Sequence, residues 1–198
     1  MDPDLAGKFS VLTTPLLPYV PRIMKTPPLA SALLGLVLPV ILSSCLFKDP
    51  VFTEGFTKTD DSIVGVWTDD EGTDDPAKTE LAACFKVDES NYMLHYPARD
   101  KDGMYFAAQP LKVNGRELLQ LRGLGTLTHR PVKPGDKEVY TLLWIEKQAE
   151  GSLKIRPLKG DLEQKTTAEV RKLIEDKGTK LEEIFVDPKV FKRIPSSK

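Results

Sequence analysis

Hydrophobic and polar residues follow three rhythms along this 198-residue chain. From Leu29 to Phe47 there is no alternation: the run carries no charge and is almost wholly apolar as far as Leu42. Gly35 and Pro39 argue against a long soluble helix there, and Arg22 and Lys25 stand just ahead of it. Basic, then apolar, then small is the order of a secretory signal, so residues 1–44 read as a leader with an apolar signal helix. Met24-Lys25 opens a segment of ordinary signal length, whereas a start at Met1 puts Asp2 and Asp4 in the leader; Met24 is therefore a second candidate start. The alternative is an uncleaved anchor, because the run approaches the roughly 20 apolar residues that cross a bilayer. Either way the basic flank lies on the N-terminal side, which places the remainder of the chain outside the cytoplasm.

Residues 46–61 hold Lys48, Asp49, Pro50, Gly55 and the Asp60-Asp61 pair without a sustained period, and read as a tether. From Ser62 the period is two. Leu81, Ala83, Phe85 and Val87 alternate with Ala82, Cys84 and Lys86; Asp88 to Asn91 interrupts, and Tyr92 to Tyr96 resumes as a return strand. Asn114-Gly115 separates Leu111–Val113 from Arg116–Leu119, and both residues tolerate the positive φ of a tight hairpin turn. Glu150-Gly151 joins Val139–Lys147 to Leu153–Leu158 in the same way. Short strands at close spacing predict a mainly β, antiparallel domain over residues 62–165, either a barrel or a strongly curled meander.

The strand from Val139 to Ile145 is apolar on both faces, so something has to cover its outer side. The third rhythm, helical, supplies the cover. Thr166 to Glu169 is a capping box, Val170, Leu173 and Ile174 make one stripe, and Gly178 is placed to end the helix. A second short helix is expected from Asp187-Pro188, presenting Phe191 and Ile194, so that residues 166–198 form a C-terminal helical segment completing the same domain.

Composition narrows the chemistry. Basic and acidic residues nearly cancel, at 28 Lys+Arg against 29 Asp+Glu, which leaves no net field for nucleic acid. The two cysteines, Cys45 and Cys84, stand in unlike contexts and make no disulfide framework. Cys84 falls on the Ala82/Lys86 side of its strand, away from Phe85, and reads as an inert thiol facing helix or solvent. His95 and His129 lack ligand-spaced neighbours and read as a strand residue and a loop residue. The acidic run Asp69–Asp75 does not have the spacing of a calcium loop and reads as a solvated turn. No catalytic group, metal or cofactor is expected, and the protein is read as having no reaction of its own.

Leu42-Ser43-Ser44-Cys45 resembles the lipobox of bacterial lipoproteins, in which an aliphatic and two small residues precede a lipid-accepting thiol. The resemblance implies cleavage before Cys45, lipid attachment on it, and membrane lipid as a partner through its acyl chains. Two or three chains hold effectively permanently, where one binds only marginally. Leu46, in place of the aspartate that retains lipoproteins at the inner membrane of enteric bacteria, implies the outer membrane in a host that has one.

Further along, Val64-Gly65-Val66-Trp67 resembles the Gly-x-Trp of lipocalins. Tyr105 to Gln109, Glu117 to Leu121, His129 and the closing Phe191 to Ile194 are similar to lipocalin-like domains of bacterial lipoproteins, over roughly Ser62 to Ile194. The resemblance implies a lipocalin-like barrel closed at one end by Gly65 and Trp67, with Arg193 as the candidate to cross the indole. Tyr92, Tyr105, Tyr140 and Trp144 are the candidate lining of an apolar pocket, or else they fill the core. Two functions are compatible with this: an envelope lipoprotein that binds a small apolar molecule or another envelope component, or a structural docking protein with a filled barrel. An apolar cavity of at least roughly 300 Å³ marks a ligand carrier.

Overall fold

The computed structural model describes residues 46–69, 79–100, 102–126 and 139–195. The expected leader over residues 1–44, the motif Leu42-Ser43-Ser44-Cys45, the acidic run beyond Asp69 and His129 lie outside them. Eight strands succeed one another: β1 Gly65–Asp69, β2 Leu81–Lys86, β3 Tyr92–Tyr96, β4 Met104–Val113, β5 Arg116–Thr126, β6 Tyr140–Lys147, β7 Leu153–Pro157 and β8 Lys189–Arg193. Each pairs antiparallel with the next, and β8 pairs with β1, so the sheet closes into a barrel without a free edge. The hairpin at Asn114-Gly115 has φ of 50° and 80° at its two central residues, and sets Val113 against Arg116. No helix among the described residues is long and apolar enough to cross a membrane.

Alternation along the strands builds two apolar layers. In β6, Leu143 and Ile145 point into the barrel while Leu142 and Trp144 point out. That is why the strand is apolar on both faces. The outward residues, with Leu111 and Leu118 of β4 and β5, lie under Val170 and Ile174 of α1 (Thr167–Glu175) and Leu181 and Ile184 of α2 (Leu181–Ile184). The capping box is complete: the Glu169 N–H donates to Thr166 Oγ1 at 3.2 Å, and the Thr166 N–H donates to Glu169 Oε2 at 2.8 Å. α1 ends at Glu175 with Asp176 as its cap, short of Gly178, whose N–H donates to the Asp176 side chain at 3.0 Å.

Three expectations are corrected. Residues 46–61 are a strap and not a free tether. Phe47 bridges to Tyr140, Phe56 bridges to Leu111, and Phe47, Val51 and Phe52 are buried. The buried Gln120 side chain grips the Phe52 backbone twice, accepting from its N–H at 2.8 Å and donating to its carbonyl at 2.9 Å. The Thr57 N–H donates to Pro110 O at 2.8 Å and the Thr59 N–H to Glu89 O at 2.9 Å, so the strap runs from one rim of the barrel to the other. It shows no period because it is held by its backbone and a few scattered apolar side chains.

The segment after Asp187-Pro188 is strand β8, not a second helix. Phe191 points inward and is buried, while Ile194 comes just after the strand and is exposed. A seven-stranded sheet would leave β1 and β7 each with a row of unpaired backbone groups, and pairing both outweighs one short helix. Cys84, finally, faces the barrel interior beside Trp67 and Tyr92, while Phe85 is 50% exposed. Trp67 pairs with Ala82 across β1 and β2, and the bulk of its indole requires small neighbours on the inner face of β2.

Candidate functional site

The short 3-10 helix Asp61–Ile63 lies at the rim where the strap ends, ahead of β1. The Trp67 indole N–H donates to Ile63 O at 3.0 Å and ties the helix down. Arg193 lies over the Trp67 ring, with its guanidinium carbon 5.5 Å from the centroid, and donates to Val64 O. Gly65 has φ of 146°, and a Cβ there would meet Arg193 Nε at 2.9 Å, so both backbone and packing require glycine. Gly65, Trp67 and Arg193 therefore form one closure, made by the first and last strands.

Beside this closure is a cavity of about 240 Å³ lined by Asp60, Ile63, Tyr92, Pro110, Leu119 and Ile145 among others. Lys147 borders it, its Nζ 2.6 Å from Asp60 Oδ2 and 2.7 Å from Glu117 Oε2. Burial works against the Lys147 ammonium, but the two carboxylates outweigh it and hold its pKa above the usual lysine value. Asp60 is drawn down from 3.8 to about 2, chiefly by the hydrogen bond from Lys147 and then by those from Ser62. The Tyr92 hydroxyl donates to Asp60 O at 3.1 Å and accepts from the Asp60 N–H, and burial pushes its pKa up.

The opposite rim is finished by a second charged group. Asp69 is buried and accepts from the Glu80 N–H at 3.1 Å. Lys189 Nζ lies 3.4 Å from Glu80 and 3.9 Å from Asp69, and the Tyr96 hydroxyl donates to Glu80. Between the two ends, Trp67, Tyr92, Tyr96, Phe106 and Phe191 interlock with Leu119, Leu121 and Leu143. The void left among them is about 60 Å³ with apolar walls.

Of the four aromatic residues expected to line a pocket, only Tyr92 is inside. Tyr140 and Trp144 belong to the outer layer, where Trp144 meets Phe185 edge-on at 5.9 Å and lies under Arg156 and Arg116 at 5.0 and 5.6 Å. Tyr105 stacks on His95 with ring centroids 4.0 Å apart. His95 Nε2 is buried with no hydrogen-bond partner among the described residues, and burial lowers the pKa of the ring. Burial likewise pushes the Cys84 thiol up to about 12, which leaves it unreactive. Among the described residues no three His, Cys, Asp or Glu side chains gather as a metal site.

The charged group at the mouth went unnoticed in the sequence, although it leaves a trace. Lys147 continues the inward parity of Leu143 and Ile145, and Glu117 that of Leu119 and Leu121. A charge on an inward position at a strand end marks the rim of a barrel, but its partner Asp60 is 87 residues away from Lys147. No family model, curated protein or solved structure matches the chain.

Proposed function

We propose that this chain is an envelope lipoprotein, acylated on Cys45, whose lipocalin-like barrel docks another envelope component and carries no ligand in its interior. The observation that carries the reading is the packing inside the barrel. The void enclosed among the core side chains is about 60 Å³ and the cavity at the mouth about 240 Å³, and neither reaches the roughly 300 Å³ with which ligand pockets begin. Trp67 and Arg193, contributed by the first and last strands, support the lipocalin-like description. Apolar surface is instead turned outward: Val66, Phe85, Val87 and Ile194 are exposed on or beside β1, β2 and β8, and the Ile194 N–H donates to Val66 O at 2.9 Å. Apolar side chains exposed on neighbouring strands in this way offer a contact surface for a partner.

Two measurements test this. Titrating the purified protein with a long-chain fatty acid while following Trp67 and Trp144 fluorescence should give no saturable change; a stoichiometric saturating response restores the carrier function and removes the filled-barrel reading. Labelled palmitate should enter the wild-type chain and not Cys45→Ala. Equal incorporation into both defeats the acylation.

A further inference from the structure

We propose that the barrel rests on the bilayer by one defined rim, that at which β5 ends and β6 begins, with its mouth turned away from the membrane. This orientation rests on acylation of Cys45, which would impose it. Phe47 is fastened to this rim: its N–H donates to Tyr140 O at 2.7 Å, and its carbonyl accepts from the N–H groups of Tyr140 and Val139 at 2.9 and 2.8 Å. Its ring is buried. Cys45 stands two residues before it. A chain advances at most about 3.6 Å per residue, so the acylated residue lies within about 7 Å of Phe47.

A free segment over residues 46–61 would instead reach about 55 Å when extended and would leave the domain to tumble. Here that length is spent along the barrel wall, where the Gln120 grip on Phe52 and the Thr57 and Thr59 bonds hold it. The acyl chains cannot enter the bilayer unless the β5–β6 rim comes down with them. β6 runs from this rim at Tyr140 to the mouth at Lys147, so the Glu150 turn beyond it stands at the other end of the barrel. Val66, Phe85 and Ile194 lie towards that same distant end, because β1 begins there and β2 and β8 finish there.

The test uses the full-length acylated protein in phosphatidylcholine vesicles that contain a doxyl-labelled phosphatidylcholine quencher. Single cysteines carrying bimane are placed near the rim, by Arg122→Cys and Thr126→Cys, and at the far turn, by Glu150→Cys. Cys84 is enclosed by the barrel and does not compete for the label. Quenching at both rim sites should exceed that at the far turn severalfold. Acylated protein that shows equal quenching at all three sites, or the strongest at Glu150→Cys, overturns the orientation and leaves acylation standing. Mass spectrometry that finds no acyl group on Cys45 overturns both.

Discussion

Gln120 is the side chain on which the strap depends most directly. Its amide can accept from the Phe52 N–H and donate to the Phe52 carbonyl at once, and both bonds are buried. Gln120→Ala strands the two backbone groups, and at roughly 1–3 kcal/mol for each unsatisfied group the loss should be about 3 kcal/mol, read by urea unfolding. Asp60 makes a different kind of contribution. Its folded-state pKa of about 2 lies below the ordinary 3.8, so its stabilisation is complete above pH 3.8 and is lost as pH falls from there towards 2. Because Asp60 is half exposed, solvent screening keeps the effect small. Asp60→Asn should flatten the acid limb of a stability profile over that window, and an unchanged slope would show that Lys147 gains nothing from Asp60.

At the level of elements, one turn does two tasks. Asn114 not only forms the β4–β5 hairpin but donates its side-chain amide to Glu175 O at 2.9 Å and to Ile174 O at 3.3 Å, capping the C-terminus of α1. Asn114→Gly keeps the backbone freedom and removes the cap. It should cost about 1 kcal/mol and speed hydrogen exchange in the last turn of α1 more than in β4 or β5. The hairpin, the capping box of α1 and the need for a cover over β6 were all legible in the sequence, because each is written in residues close together. The strap and β8 were not. Phe52 and Gln120 are 68 residues apart, and nothing local to either announces the other. Lys189–Arg193 is short and does not alternate, because Val190 and Phe191 are adjacent, and Asp187-Pro188 before it imitates a helix start; only the unpaired edges of β1 and β7 decide the matter. The pocket failed for a related reason: period two separates the faces of β6 without saying which is inside, and Trp144 lies outside.

At the largest scale, the described residues make a barrel clasped by the segment that precedes β1. Phe47, Val51 and Phe52 are buried by that clasp, and at roughly 1.5–3 kcal/mol per buried side chain they contribute about 5 kcal/mol. That is a large share of the roughly 5–15 kcal/mol that separates folded from unfolded domains. A chain that begins at Phe56 should therefore melt far below the longer one in a calorimetric scan, and limited proteolysis of the longer chain should spare residues 46–56. Rapid cutting there would return the segment to the role of a loose linker. The barrel also has an order of completion built into it. β8, the strand that joins β1 to β7, comes last in the direction of synthesis. Until residues 189–193 have left the ribosome, two edges stay open and the cylinder cannot shut, so the nascent polypeptide remains threadable.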